Sequence, residues 1–372
     1  MSVKLFNFLS LYLCVITNCI EKVRLWLQIR PFQDTIIITE LPEVSALGTK
    51  PGVLPGFFIW IRKCLRMDLK KPLSFKEQLE RLREHGAEIL NDEYAINILS
   101  HVNYYRLTGY ALQFRKSEHD SDYITGTNFD TIWNIYQFDE KLRHILRLYI
   151  EKTEVFYRTL ISNQFAKLKC TTAPYDQHYD ENNYYFKSGF REVKEKLNKE
   201  IDNFKDSLFV QHHKNKYSYR MPIWVCVELM SFSNLSKFYN CMYNTDKEII
   251  AKCVGTGPKT LSNHLHCLSV LRNKCAHATR LYNIEYNPPA SFSKSFLRSN
   301  PEIRNDTLFA YILVLLRRLP EDNDRLNLIS EITMLVNEYQ NYIDLDLIGF
   351  PQHYRDIFSK LFNSESKVLV LV

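Results

Sequence analysis

From residue 67 onward, apolar and polar positions recur with a helical period, and nowhere over a useful length with the two-residue period of a strand. Ser74 followed by Glu77 forms a capping box in which hydroxyl and carboxylate each satisfy an orphan amide. Leu79, Leu82 and Ile89 continue the apolar spacing, so a helix begins near residue 75. A second helical segment is predicted over 92–116. The longest pattern covers 128–168, where Ile135, Phe138, Leu142, Ile145 and Tyr149 step by three or four along one face and neither glycine nor proline intervenes. The polar, tyrosine-rich stretch 171–188 reads as a loop and 189–209 as a charged helix. Pro222 stands where a helix start tolerates proline, ahead of a run to about 243. Further helices are expected at 246–253, 258–283, 302–318, 322–343 and 352–363. No internal repeat or low-complexity tract appears, and the predicted fold class is all-α.

Composition sharpens this picture. A chain of 372 residues with 10 glycines and 13 prolines has too few turn formers for a β protein of many short strands, yet is long enough for one large domain or two modest ones. Nine cysteines form an odd set without a C-x-x-C pair, which argues against a disulfide framework and a zinc ribbon and for a reducing cytoplasm. Residues 1–66 differ from the rest. An apolar stretch from Leu5 to Ile20 and a patch from Phe57 to Ile61 could touch a membrane, but Asn7, Ser10, Thr17 and Asn18 interrupt the first short of the roughly 20 apolar residues a span needs. No stable membrane insertion is expected. This segment reads as a poorly specified extension, a start-site artefact if Met67 is the true start, a packed element or an anchor, and no function is placed there. The organisation expected is an extension at 1–66, a helical domain at 67–350, and a C-terminal helix and tail at 351–372.

The chemistry concentrates in one place. Residues 249–284 contain no carboxylate but carry Lys252, Lys259, Arg272, Lys274 and Arg280 with His264, His266 and His277, a charge pattern suited to a polyanion. On a continuous helix Asn273 and His277 share a face at i, i+4, Arg280 extends that face, and Arg272 lies one step round. An imidazole titrating near neutrality, a permanent guanidinium and an amide would then converge. Metal-free RNA hydrolysis needs a proton carrier near neutral pKa and a fixed positive charge for the developing phosphorane, roles that suit His277 and Arg272, while Lys274 would hold flanking phosphate. Spacing alone equally describes a solvated basic face with a histidine near the helix C-terminus, where the dipole favours cations. One Arg and one His are half of an acid–base pair, so a symmetric dimer would complete the site. His264, His266, Cys267, Cys275 and His277 have metal-binding side chains, but their spacing on one straight helix matches no compact zinc motif; no metal and no cofactor are expected.

The run Arg272-Asn273-Lys274-Cys275-Ala276-His277, continuing through Arg280 to Asn283, resembles the R-N-x-x-A-H…R-x-x-N signature of the bacterial abortive-infection proteins of the AbiD and AbiF type, in the HEPN superfamily of helical ribonucleases. Three further blocks occur in the family's order: His101 to Tyr110, Phe138 to Arg143 with Glu151, Glu154 and Arg158, and Pro222 to Phe232. Together they span about 70–290. The resemblance implies a HEPN-type helical bundle with additional helices, and a homodimer whose two R-x-x-x-x-H motifs face each other. It further implies metal-independent RNA cleavage leaving a cyclic phosphate, a phage-defence role, and in some relatives an associated small non-coding RNA. It carries over Arg272 and His277 as catalytic with Asn273 as orienting neighbour. RNA-binding positions expected from the basic run are Lys252, Lys259, Lys274 and Arg280. A non-catalytic RNA-binding or sensor module is the alternative. Ser233 stands where the family pattern has glycine, and residues 1–66 lie outside that pattern.

The other blocks have plainer readings as well. Tyr104, Tyr105, Arg106 and Tyr110 could stack bases or fill the core. Glu154 and Arg158 stand at i, i+4 in the favourable orientation for an ion pair, and Glu151 or Glu154 could reach Arg272 from a neighbouring helix. Trp224 and Glu228 read as packing and a helix–helix polar contact. The stretch 187–220, with an excess of Lys and Arg, is a solvated face or an RNA approach surface.

Overall fold

A computed structural model describes residues 69–365. The two apolar patches near the N-terminus and the last residues of the tail lie outside the described residues. Fourteen α-helices and no strand occur among those described: α1 (Phe75–Glu84), α2 (Asp92–His101), α3 (Tyr104–Thr108), α4 (Phe129–Lys169), α5 (Lys187–Asn203), α6 (Leu208–Tyr217), α7 (Ile223–Leu229), α8 (Phe232–Cys241), α9 (Asn244–Lys252), α10 (Pro258–Ala276), α11 (Lys294–Ser299), α12 (Leu308–Arg318), α13 (Asp322–Tyr339) and α14 (Tyr354–Glu365). The fold is all-α.

Helix α4 is the spine. Asn128 caps it by accepting from the Asp130 amide at 2.7 Å, and its 41 residues extend about 60 Å at 1.5 Å per residue. Helices α7, α9, α10, α12 and α13 pack along it. Helix α12 is buried all round, from Leu308 through Leu316, as expected of a helix apolar on every face. The capping box at α1 is present, with Glu77 accepting from the Ser74 amide at 2.7 Å.

Several expected segments are divided. The run 92–116 stops at Val102, which is extended, and restarts because Asn103 caps Tyr105; a 3₁₀ stretch, Gly109–Phe114, follows. The charged helix ends at Asn203 and α6 begins after a turn. The run from Pro222 breaks at Met230, where Ser231 starts α8 by accepting from the Asn234 amide. At Asn103 and at Ser231 a side chain that caps an amide outcompetes continuation of the helix.

Two core histidines set a pH dependence. His264 and His178 are buried and bonded through Nε2 to the carbonyls of Ser291 and Met221. Burial, reinforced by Arg318, holds His264 down at about 3, and burial holds His178 at about 4. Unfolded, each titrates near 6.5. The unfolded chain therefore takes up protons first, and the stability present above pH 6.5 is lost as pH falls towards those values. Each histidine contributes up to about 1.4 kcal/mol per pH unit. Urea unfolding at pH 7, 6 and 5 should show this slope, and His264→Gln or His178→Gln should each flatten it by one proton.

Candidate nucleic-acid site

Helix α10 starts with Pro258 at its first position and buries Leu261, His264, Leu265, Leu268, Leu271 and Cys275 against α4, α8, α9 and α12. That apolar face sets Arg272 and Asn273 at its margin and leaves His277 exposed. Arg272 donates its Nε to Glu154 Oε2 of α4 at 3.3 Å, and the other oxygen of Glu154 accepts from Arg158 Nη2 at 2.6 Å. Glu154 is nearly buried whereas Arg272 keeps 37% of its side chain exposed. One carboxylate thus bridges two guanidiniums, leaving a positive charge beside the surface. Arg158 also donates to the Met230 carbonyl, tying the cluster to the end of α7. Asn273 donates its Nδ2 to the Ser233 hydroxyl at 3.1 Å. Ser233 lies inside α8 and supplies the acceptor that fixes Asn273.

The helix does not continue to 283. It ends at Ala276 with His277 as C-cap; the Ala278 amide donates to Cys275 and the Thr279 amide to Lys274, the paired bonds of a Schellman motif. Its left-handed position, usually glycine, is Ala278 at φ +51°. Outside bonds hold this conformation. Arg106 of α3 donates to the Ala278 carbonyl, Arg280 donates to the Gly109 carbonyl, and buried Asp139 accepts from the Leu281 amide at 3.1 Å. Asp139 also accepts from Tyr110 at 2.6 Å and from Arg143. Burial pushes its carboxyl up, and Arg143, Tyr110 and the amides of Leu281 and Tyr282 pull it back. His277 therefore sits at the junction of a helix end and a clamped loop. The expectation that Arg280 extends the face of Asn273 and His277 is corrected: it lies beyond the helix, part-buried, its guanidinium on Gly109.

The lysines are dispersed. Lys259 is exposed in the first turn of α10, about 27 Å along the axis from His277 by helical rise, and Lys252 is exposed at the end of α9. Lys274 is half-buried, its ammonium over the Tyr286 ring at 5.4 Å, and burial lowers its pKa. His264, Cys267 and Cys275 are buried while His266 is exposed on another side. Among the described residues no group of three or more His, Cys, Asp or Glu is placed to hold a metal ion.

Of the aromatic block, Tyr110 is core, Tyr104 packs against the core, and Tyr105 is exposed. Trp224 and Glu228, expected as packing and a polar contact, are both exposed on α7. Sequence reasoning missed three positioning roles: Ser233 on Asn273, Arg106 on Ala278 and Asp139 on Leu281. The i, i+4 pairing of Asp139 with Arg143 was the available signal for the last. Among the described residues no helix is long and apolar enough to cross a membrane.

A family model described as Abi-like protein matches residues 97–283, about half of the chain, and covers Glu154, Ser233, Arg272 and His277. No curated protein and no solved structure matches the chain.

Proposed function

The chain belongs to the Abi-like family of abortive-infection, phage-defence proteins, and from that premise we propose that it is a HEPN-type, metal-independent endoribonuclease acting in the cytoplasm as a homodimer. The observation that carries this reading is the arrangement at the end of α10: a guanidinium anchored by a shared carboxylate and still a third exposed, with an exposed imidazole one and a half turns further on. In this reading His277 takes the proton of a ribose 2′-hydroxyl as its oxygen attacks phosphorus. Arg272 stabilises the charge gathering on the phosphorane, and the bond to the 5′-oxygen breaks. The leaving oxygen receives a proton from the second His277 of the dimer. The products are a 2′,3′-cyclic phosphate and a 5′-hydroxyl, and water is not consumed. Asn273, held by Ser233, orients the motif. Lys259 is too remote for the reacting phosphate and would, with Lys252, contact RNA further along the strand, with Lys274 and Arg280 adding charge beneath the site.

The test is to incubate the purified chain with total RNA in EDTA and map the new ends, alongside its mass by light scattering. Cyclic phosphate ends from a dimer are expected. Tight RNA binding without new ends would replace the proposal by the non-catalytic binding module. On single-stranded RNA the binding constant should fall with salt at a log–log slope of about 0.7 per neutralised phosphate, and Lys259→Ala should shallow it without moving the cleaved positions.

A further inference from the structure

We propose that Tyr105 is a base-stacking platform for an unpaired nucleotide beside the Arg272–His277 site, an inference that rests on the ribonuclease reading above. Tyr105 is 81% exposed, so its ring is open to a ligand. Its position is fixed from three sides. Asn103 Oδ1 accepts from the Tyr105 amide at 2.8 Å, the next residue, Arg106, donates to the carbonyl of Ala278, and Gly109 accepts from Arg280. These bonds join the short helix α3 to the residue that follows His277, so the ring and the imidazole belong to one rigid margin of the molecule.

The charge around this margin selects the ligand. Residues 94–117 contain no carboxylate and carry His101, Arg106, Arg115 and Lys116. The bonds just named place that stretch against the acid-free run 249–284. Asp139 beneath them is buried and bonded to Arg143, Tyr110 and the Leu281 amide. The Tyr105 hydroxyl is near enough to raise the Arg280 guanidinium, after Tyr110 and Asp139, against the dominant lowering by burial. An exposed π face beside the Arg106 and Arg280 guanidiniums suits a single strand, whose phosphates meet the cations while an unstacked base covers the ring. A duplex keeps its bases stacked internally and gains nothing from the ring.

The experiment measures binding in the His277→Ala chain, which separates affinity from cutting. A labelled single-stranded RNA and a matched duplex are titrated with this chain and with versions that also carry Tyr105→Ala, Tyr105→Phe or Tyr105→Trp. Loss of single-strand affinity by about five- to a hundredfold in Tyr105→Ala is expected, with phenylalanine and tryptophan close to tyrosine and duplex binding unchanged. Unchanged single-strand affinity in Tyr105→Ala overturns the inference. So does an equal loss with phenylalanine, which would assign the effect to the hydroxyl, or conversion of a dimer to a monomer, which would make the ring an interface residue. If the wild-type chain cleaves RNA while Tyr105→Ala binds as the His277→Ala chain does, the inference fails and the ribonuclease reading stands. A single-strand loss in Tyr105→Ala without any cleavage by the wild-type chain reverses that result, and no RNA binding by the His277→Ala chain overturns both.

Discussion

His277→Ala is expected to lower RNA cleavage by about 10²- to 10⁴-fold, the range that proton transfer by a positioned side chain supplies, with the fold and the mass of the assembly unchanged. His277 is exposed at a helix end whose capping bonds are made by its backbone and those of Ala278 and Thr279, so removing the imidazole leaves the Schellman motif intact. Arg272→Ala should cost a comparable factor through loss of phosphorane stabilisation. Arg272→Lys should recover little, because an ammonium cannot both satisfy Glu154 through one donor and present a planar fork to phosphate. Mixing inactive Arg272→Ala and His277→Ala chains should give heterodimers retaining one Arg and one His, with reduced but measurable cleavage if the site is shared. Wild-type rates in nuclease-free His277→Ala protein would end the assignment.

The charge at Arg272 explains why neighbouring residues matter to this result. Glu154 holds two arginines at once, so its removal would free Arg272 to swing and leave Arg158 facing the Met230 carbonyl with its buried ion pair gone. A guanidinium held in place is worth more than a mobile one because its orientation is settled before the phosphate arrives. The same logic assigns the serine at 233 a purpose: it orders Asn273, the residue between Arg272 and the helix end, through a bond that glycine cannot make.

Local rules made much of this legible. Ser74 with Glu77 located α1, and the uninterrupted three-and-four spacing located α4 to within a residue at each end. The breaks at Asn103 and Ser231 were written in the sequence as competent caps, but a cap in the middle of an apolar run has no priority until the tertiary structure decides which side to bury. The end of α10 was hidden for a stronger reason. Nothing in Cys275-Ala276-His277-Ala278-Thr279 stops a helix by propensity, and alanine is a poor occupant of the left-handed region. The stop is imposed by Arg106 and Asp139, more than a hundred residues upstream. The Glu154–Arg158 pair was visible as an i, i+4 spacing, whereas its bridge to Arg272 is a tertiary contact across 118 residues.

Asp139→Ala is expected to destabilise the chain by about 3–5 kcal/mol, the penalty for removing one member of a buried ion pair. The carboxylate is fully buried and meets Arg143, the Tyr110 hydroxyl and the Leu281 amide; without it Tyr110 and the Leu281 amide lose their acceptor, and Arg143 keeps only its long contacts to the Tyr110 hydroxyl and the Thr279 carbonyl. Urea unfolding measures the loss, and a change below about 1 kcal/mol would show that the network relaxes onto water. Arg143→Ala should cost less when made in the Asp139→Ala background than alone, because the guanidinium has already lost its partner there. The damage should also be uneven. Amide hydrogen exchange should rise at Leu281 and Tyr282 more than in α12, because Asp139 is what holds the chain as it leaves His277, while the apolar packing of α12 does not pass through it. If exchange in α12 rises equally, Asp139 supports the domain as a whole and not the loop behind His277.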